Sequence, residues 1–444
     1  MKIKVTEHHC QSKIVGGKSI AQFAKWQSLH CATALQFLLY CGKRIAQKFR
    51  NLNIVTAMNS YTLETAHATD RDELLAFLLD AFRTNDPNHP AFDTLYPDLF
   101  DATDEAMSRH RVIRDEAGRI CACVGSYPMR VRIGQCAVEI FGIGQVSCSP
   151  QLRGGGRMSA LLADVCESME RSGAALAWLS GRRDRYAHFG WDVAGTNLHS
   201  GFDARSVGKA PSGWSIEQIA VATAAERIWQ LRNRAAVREE VSPETWTTRL
   251  MRGGKPHRVF IATRADGAAA KDSCAEAFCV MQAGEGEELL EWAGETDGIH
   301  AILAHALQTQ KRVRVTCAPQ NIDPAARLFW DSADWSGASL ANIRILNLQK
   351  LLDSYAPLLN ERIPAGASVR LVIAENDAKQ IDCAQLGAAT PAATAPTLTL
   401  DRKTMARTIF GPLAPSTLIT LPEELRWLDR VFPLPFCLPS SSHV

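Results

Sequence analysis

This sequence has little charge of one sign, no paired cysteine motif and no long apolar run, and each shortage removes a class of protein. With 49 Lys and Arg against 47 Asp and Glu, the net charge is +2, so no bulk field recruits nucleic acid or an anionic membrane. No apolar run approaches the roughly 18 residues needed to span a bilayer. The 13 cysteines are odd in number and none stands in a Cys-x-x-Cys pair, which argues against a disulfide framework and against a zinc site. Cys121, Cys123, Cys148 and Cys279 instead sit in apolar alternation, where a reduced thiol acts as a small hydrophobe. The expectation is a cytoplasmic protein without a metal. A Walker phosphate loop is missing too, because Gly17-Lys18-Ser19 has Ser12 where that motif needs glycine.

What is there reads as several folded units. At 444 residues, with 46% hydrophobic and 22% charged, the chain is too long for one ordinary core, and two to four domains are expected. Residues 1–60 hold nine Lys or Arg and the single acid Glu7, whereas residues 61–105 hold eleven acids and two Arg. The weak apolar stretch Ala32–Cys41 starts too late for a secretory signal and no clear cleavage site follows. Residues 1–60 are therefore expected to be an extension outside the fold.

From Tyr61 the pattern is regular. Asp70-Arg71-Asp72-Glu73 opens a helix whose apolar positions are Leu74, Leu75, Phe77, Leu78 and Phe82. An acidic, Pro-interrupted stretch over 86–105 follows as a helix-loop wall. Strands are expected at Arg109–Asp115, Ile120–Arg132 and Cys136–Cys148, then a glycine-rich turn, a helix from Arg157 to about Ser172, and a buried strand at Ala174–Leu179. A short helix and strand complete a mixed α/β unit over 61–208. A second unit, 209–337, has helices at Ala224–Arg238 and Pro243–Met251. Strands at Arg258–Thr263, Ala277–Gln282 and Glu288–Trp292, a helix at Gly298–Gln310 and a strand at Val313–Cys317 complete it. It repeats the order of the first, but Gly294-Glu295-Thr296-Asp297 stands where the glycine turn would be. The last unit, 338–444, runs through an Ala/Thr/Pro-rich stretch at 388–396 to a tail whose Pro433, Pro435 and Pro439 keep it extended, or leave it disordered.

Chemistry concentrates at one turn. Pro150 ends the strand containing Val146-Ser147-Cys148-Ser149, and Arg153-Gly154-Gly155-Gly156-Arg157-Met158 leads straight into an apolar-faced helix. Successive glycines let backbone N–H groups converge on a ligand, and the helix adds its N-terminal partial positive charge. A pyrophosphate suits such a turn. A dinucleotide fold would show Gly-x-Gly-x-x-Gly here and does not.

The stretch from Val146 through the glycine turn to Tyr186-Ala187-His188-Phe189-Gly190-Trp191 resembles the GNAT N-acetyltransferase superfamily, whose loop is [RQ]-x-x-G-x-[GA]. Arg153 and Gly156 fit that loop; Met158 replaces its final small residue. The layout over 61–444 resembles the enhanced intracellular survival acetyltransferase family. That resemblance implies an α+β chain: a catalytic GNAT domain at 61–208, a second GNAT-like domain at 209–337 without the cofactor motif, and a sterol-carrier-protein-like domain at 338–444. It implies acetyl-CoA as cosubstrate. The backbone of Val146, Ser147 and Cys148 would pair with the pantetheine arm, and Gly154, Gly155, Gly156, Arg157, Met158 and Ser159 would cradle the pyrophosphate. Ser180 and Gly181 match positions that also touch the cofactor. A homo-oligomer, hexameric as in family members, is implied as well.

Acetyl transfer to an amine needs a base for the amine and an acid for the departing thiolate. Tyr186 occupies the position of the family's general acid. The family's base is the chain's own terminal carboxylate, here Val444. Glu139 is the alternative base and His188 a third candidate. The acidic run at 86–105 either lines a pocket for a polycationic amine, such as an aminoglycoside or a lysine side chain, or is a solvated surface. Trp191 and Phe92 are pocket walls or core. Against the enzyme stand a non-catalytic acetyl-CoA sensor and a carrier of apolar ligands through the third domain.

Overall fold

The computed structural model describes residues 61–254, 257–264, 276–282, 287–317, 328, 332–375, 379–388 and 395–443. The extension 1–60, Val444 and most of the 388–396 stretch lie outside these residues.

The first strands are β1 (Leu63–Thr65), β2 (His110–Arg114), β3 (Ile120–Ile133), β4 (Cys136–Cys148), β5 (Leu176–Leu179) and β6 (Asp192–Phe202). They are followed by β7 (Trp214–Ile219), β8 (Val237–Glu239), β9 (Arg258–Arg264), β10 (Ala277–Gln282), β11 (Glu287–Gly294), β12 (Val313–Cys317) and β13 (Asp334–Ile345). All thirteen join one mixed sheet in the order β1-β2-β3-β4-β5-β13-β6-β12-β11-β10-β9-β7, with β8 on β3. The first half of β3, Ile-Cys-Ala-Cys-Val, is buried on both faces, which is why it reads as a continuous apolar run instead of an alternation.

β13 enters between β5 and β6, pairing Ile343 with Trp178 on one side and Ala341 with Ala194 on the other. It begins at Asp334 and so runs across residues 337/338, the expected boundary of the third unit. Its first half, Ser336-Gly337-Ala338-Ser339, carries no apolar alternation and gave no strand signal. The helix expected to reach Arg238 stops at Arg232, because Val237–Glu239 pairs with Ile133–Val131 as β8. Sheet pairing outweighs local helix propensity there.

Among the helices are α1 (Arg71–Arg83), α2 (Arg157–Arg171), the single turn α3 (Arg183–Tyr186), α4 (Val221–Arg232), α5 (Pro243–Arg249) and α6 (Thr296–Ala306). Helix α2 buries Leu161, Leu162, Val165, Cys166 and Met169 against Ile113, Val124, Ile143 and Leu179 of the sheet. Each such side chain contributes about 1.5–3 kcal/mol on burial. The opposite face is covered by α7 (Leu348–Ser354), α8 (Ala356–Arg362) and α9 (Arg402–Phe410), with a small sheet ordered β15-β14-β16. These three strands are β14 (Ser368–Glu375), β15 (Lys379–Gly387) and β16 (Thr397–Leu400). One apolar cluster joins Val138, Trp178 and Ile343 of the large sheet to Tyr355, Ile373 and Phe410.

The proline-rich tail is core, not a disordered end. Leu434, Phe436 and Leu438 are buried within that cluster. Its prolines leave carbonyls that must find donors. The Tyr355 hydroxyl donates to Pro435 O at 2.6 Å, and Arg362 Nη1 donates to Val431 O at 3.0 Å and Pro433 O at 3.2 Å. Phe436→Ala should therefore lower stability by about 3–5 kcal/mol, read as a fall in the urea midpoint; an unchanged midpoint would mean the tail is peripheral.

Candidate active site

Strands β4 and β5 run parallel only from Ile140↔Leu176 to Ile143↔Leu179. Beyond Ile143, β4 continues to Cys148 with β3 alone as its partner, while β5 ends and the chain turns through Ser180-Gly181. The strands part at Gln145, whose φ of 51° lies in the left-handed region. That conformation is unusual for a residue with a Cβ, and the β3–β4 register shifts opposite it, between Cys123 and Gly125. Among the described residues, no strand lies beside the edge of Val146, Ser147 and Cys148 that faces β5. An extended ligand carrying amides fits such an edge.

A buried polar chain holds the bend. The Tyr127 hydroxyl joins the Gln145 side-chain oxygen to His110 Nε2, 2.9 Å away. His110 Nδ1 lies 3.2 Å from Met107 O. A Cβ on Gly125 would meet Gln145 Oε1 at 2.7 Å and press on Tyr127, so only glycine fits opposite the bend. Burial pushes the pKa of His110 down from 6.5 to about 4, against the opposing hydrogen bond to Met107. The ring is neutral at pH 7; its Nδ1 faces Met107 O and its Nε2 the Tyr127 hydroxyl, whose proton goes to the Gln145 side-chain oxygen.

After Cys148, Pro150–Leu152 forms one tight turn, and Gly154 and Gly156 take φ of 83° and 75°. A Cβ at Gly154 would meet nothing within 4 Å, so its requirement is conformational. Gly156 caps α2 without a side-chain hydrogen bond, and the first turn of the helix holds no acid. Its free N–H groups and dipole thus present uncompensated positive potential.

A cleft of about 650 Å³ gathers these parts. Val146, Ser147 and Cys148 line one side; Arg153, Gly154, Gly156, Arg157, Met158 and Ser159 line the helix end; Tyr186, His188 and Phe189 face them. Ala81, Phe82 and Asn85, at the end of α1, close the rim. Three expected site residues stand outside the lining. Gly155 would set a Cβ 2.6 Å from Arg157 Nη1, Gly181 lies behind Tyr186 and accepts from Asn342 Nδ2 at 2.9 Å, and Ser180 is exposed. Glu139 sits upstream on β4 and pairs with Lys350 Nζ at 3.0 Å, away from the cleft. Trp191 and Phe92 are core residues, 0% and 3% exposed. The acidic run does not line the cleft; its Asp98 is buried between Arg249 and Arg252.

Tyr186 is nearly buried, and that burial raises its pKa against the lowering influence of Arg185. The phenol holds its proton at neutral pH. Arg185 also lines the cleft, and the sequence gives no sign of it among the arginines of Arg182-Arg183-Asp184-Arg185. Pairing separates them: Arg182 bonds Asp184 and Arg183 bonds Asp192. Among the described residues, Arg153, Arg157 and Arg185 have no carboxylate partner, and Arg157 instead sits 5.7 Å above the Tyr61 ring. Also among the described residues, no group of three His, Cys, Asp or Glu could hold a metal, and no helix is long and apolar enough to cross a membrane.

Residues 62–194 match the family model described as an acetyltransferase (GNAT) domain, and this part of the chain, which contains the whole cleft lining, is a GNAT acetyltransferase domain. Among curated proteins no sequence match is found. Solved structures share the fold. A conserved Enterococcus faecalis V583 protein described as a probable N-acyltransferase is 16% identical, with 80% of this chain and 90% of that one covered at a TM-score of 0.60. A GCN5-related N-acetyltransferase from Anabaena variabilis is 15% identical, with 84% and 96% covered at 0.60. Eis1 from Mycobacterium abscessus is 13% identical, with 86% and 100% covered at 0.60. At these identities the likeness is one of fold.

The neutral His110 makes stability depend on pH. Its folded pKa, about 4, lies below the ordinary 6.5, so between these values the unfolded chain binds more protons. Stability is then greatest above pH 6.5 and falls as the pH drops toward 4, by up to about 3 kcal/mol from this group. Urea unfolding from pH 4.5 to 7 should show this slope, and His110→Gln should remove that share of it; an equal slope in the variant would refute the assignment.

Proposed function

We propose that this protein is an N-acetyltransferase that moves the acetyl group of acetyl-CoA directly onto a primary amine in a ternary complex. The observation that carries this reading is the cleft, in which an unpaired strand edge, an uncapped helix N-terminus behind three glycines and a protonated phenol come together. The edge of Val146–Cys148 would pair with the pantetheine amides. The N–H groups of Gly154–Ser159, with Arg153, Arg157 and Arg185, would take the phosphates.

The amine nitrogen attacks the thioester carbonyl; the new C–N bond forms and the C–S bond breaks. Tyr186 gives its proton to the departing thiolate, and a base takes the proton lost by the amine. The Val444 carboxylate is our assignment for that base. The ion pair of Glu139 with Lys350 and its position outside the cleft lining count against the alternative. Acceptors of the aminoglycoside, polyamine or lysine class fit the reaction equally.

We divide the chain into a catalytic GNAT domain, a second GNAT-like domain and a sterol-carrier-like domain. In support, β11 and β12 run parallel across α6 as β4 and β5 do across α2. At the start of α6, however, Glu295 is the N-cap and Asp297 lies in the first turn, which repels a phosphate. The carrier reading is disfavoured because the third domain's interior is filled by its own Tyr355, Phe410, Phe432 and Phe436, each at most 2% exposed.

Thiol release from acetyl-CoA against a panel of polyamines, aminoglycosides and lysine peptides tests the reading. Turnover with at least one acceptor is expected, and Tyr186→Phe should lower kcat by about 10²-fold or more. No thiol release by the wild type with any acceptor would overturn it, whether or not acetyl-CoA binds. Adding a few residues after Val444 should abolish turnover; full activity in that variant would exclude the terminal carboxylate.

A further inference from the structure

A buried ionic cluster lies outside the cleft and takes no part in the chemistry above. Asp98, Glu239 and Glu291 face Arg232, Arg249 and Arg252, with every side chain at most 9% exposed. Arg249 donates to Asp98 at 3.0 Å and to Glu239 at 3.0 Å, and Arg232 donates to Glu291 at 3.0 Å. Charges balance, so the cluster is tolerable. Yet burying ions in this way seldom stabilises a fold more than apolar packing of the same volume. Geometry is what such a network can supply.

What it holds is the end of the chain. Arg252 grips Asp98 with two nitrogens, Nε at 2.8 Å and Nη2 at 2.7 Å, and lies 5.3 Å over the Tyr96 ring. Its remaining nitrogen, Nη1, donates to the backbone carbonyls of His443 at 2.6 Å and Ser441 at 3.1 Å. The Ser441 hydroxyl donates to Glu291. His443 packs its ring 5.5 Å from that of Trp178, and Trp178 pairs with Gly142 of β4, three residues before the Gln145 bend. Only a planar guanidinium can hold a carboxylate on one edge and two carbonyls from the other; a lysine cannot.

We infer that Arg252 is a positioning residue: braced by Asp98, it fixes Ser441–His443 against Trp178 beside the parted strands, and this placement sets the rate of acetyl transfer without touching acetyl-CoA. The middle part of the chain, which lacks a phosphate turn of its own, thereby acts as the clamp for the tail. The rate component rests on the acetyltransferase reading; the placement component does not.

The test uses the full chain with Arg252→Met and with the pair Arg252→Met/Asp98→Asn, which leaves no newly unpaired carboxylate at Asp98. Amide hydrogen exchange of the 434–443 segment should speed up by about tenfold or more, with peptides of β4 and α2 unchanged. In the thiol-release assay kcat should fall by about tenfold or more while KM for acetyl-CoA stays within about twofold. Unchanged tail exchange in the double variant, acceleration spread through the whole chain, or a freed tail with wild-type kcat would each overturn the inference. Should the wild type bind acetyl-CoA but release no thiol with any acceptor, the acetyltransferase reading fails separately, and the exchange result alone decides the clamp.

Discussion

The parting of β4 from β5 depends on one residue held where it does not readily go. A left-handed, non-glycine Gln145 costs on the order of 1–2 kcal/mol, and it is kept by a chain of buried polar contacts through Tyr127 to a neutral His110. Straightening it would let β4 continue its ladder and close the edge. With it bent, Val146–Cys148 stand free next to the N-terminus of α2, and the cleft exists. Strain at a site is sustained when the surroundings over-determine it, and here Gly125 leaves the room that the polar chain occupies.

The remaining architecture brings distant parts of the chain to the margins of that bend. β13 seals the other edge of β5 and ties the turn at Gly181 through Asn342. The third part packs its helices and tail onto the sheet face opposite α2, sharing a core with Trp178 and Ile343. The middle part meets the first through β8 on β3 and the last through Arg252 and Glu291. Tail, middle and cleft are thus mechanically linked although they are far apart in sequence.

Local features were legible in advance. β3, β4 and α2 fall within a residue or so of expectation because alternation, Pro150 and the glycine run are written in consecutive residues. That Val146–Cys148, Arg153, Gly154, Gly156–Ser159 and Tyr186 line one cleft is what the family resemblance of that stretch implied, not something its local pattern showed. What was not legible depends on pairing across more than 100 residues. The polar first half of β13 finds its place only beside β6. Val237–Glu239 becomes a strand only because β3 offers an edge. Asp98 reads as one of many surface acids, and Ser441 and His443 as a polar end, until Arg252 joins them. The left-handed Gln145 carried no signal, since glutamine has no preference for that conformation.

The most direct test of the central claim is amide hydrogen exchange of the whole protein with and without acetyl-CoA. Binding along the bent strand predicts new protection confined to Val146–Cys148 and to the first turn of α2 from Gly154 to Ser159. Acetyl-CoA that bound while leaving both segments unchanged would contradict the account.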